Sequence, residues 1–136
     1  MIRLKVPSRL EYRDLAVRMV ASACKLVPNP GDDFYDEVIS AFSEAFNNVV
    51  IHSYGAKAGE LEIEIEPSHD RLTIRLMDYG KTFDMALVTA PDLDTLPESG
   101  LGVFIMRSFM DDVTYLGGRP NVLSMTKLLK GKQRTP

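Results

Sequence analysis

Hydrophobic and polar residues alternate most strictly between Glu60 and Glu66, where Leu61, Ile63 and Ile65 face one way and four glutamates the other. A period of two is that of a half-exposed strand, because successive side chains point to opposite faces. Pro67-Ser68-His69-Asp70 turns the chain into a partner strand, Arg71 to Asp78, in which Leu72, Ile74 and Leu76 share a face. Alternation also predicts a strand over Ile2–Val6, ended by Pro7, and a closing hairpin of Asp112–Leu116 and Asn121–Leu128 across Gly117-Gly118.

Elsewhere the period lengthens. Tyr12, Leu15, Ala16, Met19, Val20, Ala23 and Val27 recur at helical spacing and predict a helix from about Arg9 to Leu26. Ser8 and Glu11 form its capping box, and Pro28-Asn29-Pro30-Gly31 stops it. Asp32 or Asp33 caps a second helix reaching Tyr54, where Gly55 breaks it. Its apolar arc holds Val38, Phe42, Ala45, Phe46 and Val49. Residues Asp84 to Ser99 carry no clear period and read as a loop with one helical turn, before Gly100-Leu101-Gly102 leads into a short helix, Val103–Met110. Gln133–Pro136 reads as a frayed tail. The order implies an α+β fold: a two-layer sandwich with helices on one face of a mixed, largely antiparallel sheet.

Composition narrows the function classes. A length of 136 residues fits one domain over 1–136, and 45% apolar with 26% charged residues excludes wholesale disorder. Sixteen basic against nineteen acidic residues give −3, the opposite of the surplus a direct nucleic-acid binder carries. No apolar run approaches the roughly eighteen residues of a membrane span, and Met1-Ile2-Arg3-Leu4-Lys5 has no signal-peptide core, so the expected setting is cytoplasmic. Cys24 stands alone, which excludes an internal disulfide and a Cys-rich zinc site; beside the first apolar stripe it reads as a small hydrophobe. His69, in a turn, reads as solvated.

Three places break the pattern. Glu44, Asn48 and His52 stand four apart on the second helix and form a polar stripe at the edge of its apolar arc. Either this is a polar helix edge with local hydrogen bonds, or it is a site. Asp78 is in phase with Leu72, Ile74 and Leu76, so its carboxylate points at the helix layer and needs a donor. That donor is either a partner such as a backbone N–H at Gly80 or a ligand's amino group. Finally, Ser99-Gly100-Leu101-Gly102 opens a helix, where glycines and free amides suit an anion. Alone this is a weak signal.

In order, the three resemble the ATP-binding motifs of the GHKL superfamily, the Bergerat fold, and most closely the anti-sigma-factor serine/threonine kinases of the RsbW type. Ser43-Glu44-Ala45-Phe46-Asn47-Asn48-Val49-Val50-Ile51-His52 is similar to their N box, and Asp78-Tyr79-Gly80-Lys81-Thr82-Phe83-Asp84 to the first glycine box. Gly100-Leu101-Gly102-Val103-Phe104-Ile105-Met106, running into Phe109-Met110-Asp111-Asp112-Val113, is similar to the second. Lys5-Val6-Pro7 and Met125-Thr126-Lys127 fit the ends of the family's pattern.

The resemblance implies Mg-ATP as cofactor, with Asn48 holding Mg²⁺ and Glu44 as general base. His52 and Phe83 would line the nucleotide pocket and Asp78 would accept from the adenine amino group. Gly80 would let the chain pass the base, while Ser99, Gly100, Leu101 and Gly102 would cradle phosphates under a lid spanning about 84–99. It also implies a sigma factor and an anti-anti-sigma (STAS-type) antagonist as partners, no direct contact with nucleic acid or membrane, and a homodimer. Alternatives are a partner switch with weak catalysis and the ATPase domain of a sensor kinase, the latter disfavoured because the chain opens directly on a strand. Two departures stand out. Thr82 replaces the superfamily's second glycine, and Met85–Ser99 holds no lysine or arginine, leaving Lys81 or Arg107 as the candidate cation near the phosphates.

Overall fold

A computed structural model describes residues 1–54, 58–83 and 98–129, with the backbone alone over 98–101. Its elements are β1 (Ile2–Pro7), α1 (Arg13–Ala23), α2 (Phe34–Val49), β2 (Glu60–Pro67), β3 (Arg71–Asp78), α3 (Glu98–Phe109), β4 (Asp112–Leu116) and β5 (Asn121–Leu128). The strands form one sheet in the order β1-β2-β3-β5-β4, and every pairing is antiparallel, with no parallel ladder among the described residues.

Register follows from which side chains must be buried. Leu4 pairs with Ile63, Ile63 with Leu76, and Leu76 with Leu123, so apolar rows run across the sheet on one face. A slip of one residue would turn each row to solvent. Leu61, Ile63, Ile65, Leu72, Ile74, Leu76, Leu123 and Met125 are fully buried against the helices. α1 contributes Ala16, Val20 and Ala23; α2 contributes Val38, Phe42, Phe46 and Val49; α3 contributes Val103 and Met106. On the opposite face, Glu64 joins Arg3 (3.0 Å) on β1 to Arg75 (3.5 Å) on β3, and Arg75 reaches Glu66 at 3.1 Å. Such cross-strand pairs suit a wet face. Cys24 is buried, which pushes its thiol up to about 11 and leaves it inert.

Strand ends match the sequence pattern to within a residue; helix ends do not. The capping box at Ser8 and Glu11 does not form. The Ser8 N–H donates to the Gly59 carbonyl (2.9 Å), its hydroxyl is buried without a partner, and Glu11 pairs with Arg9. Because Ser8 is still tied beside β2, the chain enters α1 through a 3₁₀ turn, Leu10–Tyr12. The predicted helix likewise leaves by another 3₁₀ turn, Cys24–Leu26. Asp33 does stand at the start of α2, yet its side chain makes no capping bond. α3 begins at Glu98, so Gly100 and Gly102 lie in its first turns and not ahead of them. The expected break at Gly55, the loop at 84–97 and the tail at 133–136 lie outside the described residues. Among the described residues, no helix is long and apolar enough to cross a membrane.

Candidate functional site

α2 is regular through Val49 and then widens into a π-helical turn, Val50–Tyr54. Single π turns inside α-helices gather at functional sites. Glu44 and Asn48 keep their one-turn spacing, Glu44 half-buried and Asn48 5% exposed. The π turn takes His52 off that strict stripe: its imidazole rests on the Phe83 ring, centroids 5.3 Å apart. Phe83 in turn lies on Tyr115 at 4.4 Å, and its N–H donates to the Tyr115 hydroxyl. Burial raises the tyrosine's proton affinity, only partly offset by that bond.

The same turn docks the loop that follows β3. Helix-end carbonyls lack partners within the helix, and the Ser53 carbonyl accepts from the Lys81 N–H at 2.7 Å. A Cβ on Gly80 would stand 2.5 Å from that carbonyl oxygen, so the approach requires glycine.

Asp78, 1% exposed, ends β3 facing the helix layer, as its phase requires. Its Oδ1 accepts from the Gly80 N–H and from Asn121 Nδ2, each at 2.9 Å. The backbone donor considered from the sequence is therefore real. Its Oδ2 is buried with no partner.

Asn121 was not singled out by the sequence reading, although it carries the same signal. It is in phase with Leu123 and Met125 and pairs directly with Asp78 across β3 and β5. Fully buried, it donates also to the Gly80 carbonyl (2.9 Å) and accepts from Thr82 Oγ1 (2.6 Å) and the Gly118 N–H (2.9 Å). All four of its hydrogen-bonding positions are used. Thr82 thus closes a network that holds Asp78. Thr82→Gly removes the hydroxyl and frees the loop, so we expect a loss of roughly 1 kcal/mol, or about 4 °C in melting temperature. Calorimetry measures it, and an unchanged midpoint would show that the bond carries no weight.

Close by, α3 crosses the polar stripe of α2. A Cβ on Gly102 would lie 2.8 Å from Glu44 Oε2 and 3.3 Å from Asn48 Nδ2. Asn48 Nδ2 is itself buried and unpartnered. Glu44, Asn48 and Gly102 therefore converge, next to the group formed by His52, Asp78, Gly80 and Phe83. Ser99, Gly100 and Leu101 are placed by backbone in the first turns of α3; their side chains lie outside the described residues. No cluster of three acidic, His or Cys side chains fit to hold a metal occurs among the described residues. A hard cation here would rest on the Asn48 amide together with ligand oxygens, a donor set that suits Mg²⁺.

On the other side of Glu44 runs a groove of about 450 Å³ between α1 and α2, with Glu11, Arg13, Asp14 and Glu44 as its charged lining beside Leu10 and Val17. Arg13 is a residue that sequence reasoning missed, because its contact spans 34 positions: Nη1 donates to Asn47 Oδ1 at 2.7 Å. Lys81, one of the two cations considered from sequence, lines a cleft together with the candidate residues His52 and Gly80 and with Tyr54 and Tyr79, while Arg107 is exposed on α3.

The model of the histidine kinase-like ATPase domain matches residues 6–127. Serine-protein kinase RsbW of Bacillus cereus (strain G9842) is 30% identical over 140 residues, spanning 97% of this chain and 87% of that protein. The protein of the same name from Bacillus mycoides (strain KBAB4) is 29% identical over the same shares. Among solved structures, the Acinetobacter baumannii histidine kinase AdeS superposes with a TM-score of 0.53 at 14% identity, over 96% of this chain and 70% of that one, a likeness of fold alone. With its buried carboxylate after β3, its glycines against α2 and these matches over nearly the whole length, the chain belongs to the histidine kinase-like ATPase domain family, on the RsbW-like branch of the GHKL superfamily.

Proposed function

We propose that this chain is a serine/threonine protein kinase that uses Mg-ATP to phosphorylate an anti-anti-sigma (STAS-type) antagonist, and that it sequesters a sigma factor when the antagonist is not bound. The single observation that carries the reading is the orphaned Asp78 Oδ2, a buried carboxylate oxygen without a donor. Such a group is costly unless paired, and the amino group of adenine supplies the missing N–H. Gly80 then lets the backbone pass the base, with His52 and Phe83 against it. Mg²⁺, when bound, would neutralise phosphate charge. The Asn48 amide is the protein's contribution to holding it.

Glu44 is the general base. It takes the proton of the incoming hydroxyl as that oxygen bonds to the γ-phosphorus and the bond to the β-phosphate oxygen breaks, releasing ADP. Gly102 leaves the space in which the carboxylate can address both reactants. Sigma factor and antagonist would be exchanged according to the bound nucleotide.

The test has two stages. ATP and GTP are titrated calorimetrically in the presence of Mg²⁺, and clear preference for ATP is expected. The STAS-type protein recovered with the chain in a pull-down is then incubated with Mg-ATP and analysed for phosphoserine or phosphothreonine by mass spectrometry. Equal affinities would sink the adenine assignment; ATP binding with no phosphate transferred would reduce the chain to a nucleotide-dependent partner switch.

A further inference from the structure

Glu44 has two sides. One faces Gly102 and Asn48, where the nucleotide phosphates are assigned; the other lines the α1–α2 groove. A hydroxyl that loses its proton to Glu44 reaches it from the groove, since the pocket side is taken by the nucleotide. Of the charged side chains that line that groove, Arg13 and Glu44 are the two without an ion-pair partner among the described residues. Glu11 is paired with Arg9 at 2.6 Å and Asp14 with Arg18 at 2.8 Å. Arg13 is held only by the neutral amide of Asn47, with no carboxylate partner among the described residues. The amide fixes the guanidinium without neutralising it, so its remaining donors and its charge are open to an anion in the groove.

Resting on the kinase reading above, we propose that Arg13 is a specificity-determining residue: it selects acceptor segments that carry a carboxylate beside the phosphorylated hydroxyl. The segment lies along the groove with its hydroxyl at Glu44 and an Asp or Glu side chain on the Arg13 fork, where a carboxylate can bind in bidentate fashion. Leu10 and Val17 line the same groove and offer the segment apolar contact. Lysine at the same place would meet like charge. Arg13 thereby acts on the substrate and not on the nucleotide.

The experiment uses the full chain, Mg-ATP and short synthetic serine peptides in which each flanking position is Asp, Ala or Lys, with phosphoserine read by mass spectrometry. Acid-flanked peptides should be labelled on the order of ten-fold faster than lysine-flanked ones at low salt, and the gap should narrow as salt rises. Arg13→Glu should reverse the preference and Arg13→Gln should flatten it, both with ATP affinity unchanged by calorimetry. Equal labelling of Asp and Lys peptides by the native chain, or a preference that survives Arg13→Glu, overturns the proposal. So does a native chain that binds ATP and labels no peptide, which leaves the nucleotide reading standing. A native chain that binds no ATP takes down the kinase reading itself, and this proposal with it.

Discussion

Glu44→Ala should bind Mg-ATP as tightly as the native chain and phosphorylate its antagonist about 10²–10⁴-fold more slowly. The expectation comes from where Glu44 sits. Its carboxylate lies at the boundary between Gly102 and the α1–α2 groove, half-buried, with no hydrogen bond to another side chain among the described residues. On the proposed mechanism a group so placed would contribute little to ground-state nucleotide binding and act when the hydroxyl proton leaves. Loss of kcat without loss of ATP affinity is the signature of an interaction made only in the transition state. Single-turnover phosphoserine formation beside calorimetric ATP titration measures both quantities. Transfer at the native rate by Glu44→Ala would place the base elsewhere.

The second large effect is expected at Asp78, with a change of sign between two nucleotides. Two donors, the Gly80 N–H and Asn121 Nδ2, hold Oδ1. In Asp78→Asn those donors select the carbonyl oxygen for that position and put the new NH₂ where Oδ2 stands, the place proposed for adenine. There it would face the adenine amino group, donor against donor. Replacing a charge-assisted hydrogen bond in this way should weaken ATP roughly ten- to a hundred-fold. Guanine carries a carbonyl oxygen where adenine carries the amino group, so Asp78→Asn should gain affinity for GTP relative to the native chain. Titrating both nucleotides into both proteins reads the two shifts. Equal ATP affinity in the two proteins, or no relative gain for GTP, contradicts the proposed geometry.

The strands were legible because a half-exposed strand must alternate: β3 does so throughout, β2 except at the buried Glu64, and β5 as far as Thr126. Asp78 was legible for the same reason, as a polar residue in an apolar phase. Asn121 obeyed the identical rule and was read merely as the start of a strand; its buried environment is shared with Asp78 through strand pairing, which one segment alone does not reveal. Helix ends were less legible because long-range bonds override local signals. The Ser8–Gly59 bond displaces the capping box, and the Lys81–Ser53 bond accompanies a π turn that no proline or glycine within Val50–Tyr54 announces. Arg13 lay beyond sequence reasoning, since nothing near it in the chain points to Asn47.

The Thr82 side chain has an evolutionary consequence. Its hydroxyl is committed to Asn121, and its methyl group occupies the space that a Cβ on Gly117 would need. The two positions therefore drift in a fixed order. Alanine arising first at 117 collides with the methyl group or drives Thr82 off Asn121, and such a lineage carries a weakened Asp78 network until it is repaired. Serine arising first at 82 keeps the hydroxyl bond, drops the methyl, and leaves an alanine Cβ at 117 only the 3.3 Å approach of Oγ1 to accommodate. Descendants of this chain should thus pair Thr82 with glycine at 117, or serine at 82 with alanine at 117, and seldom Thr82 with alanine.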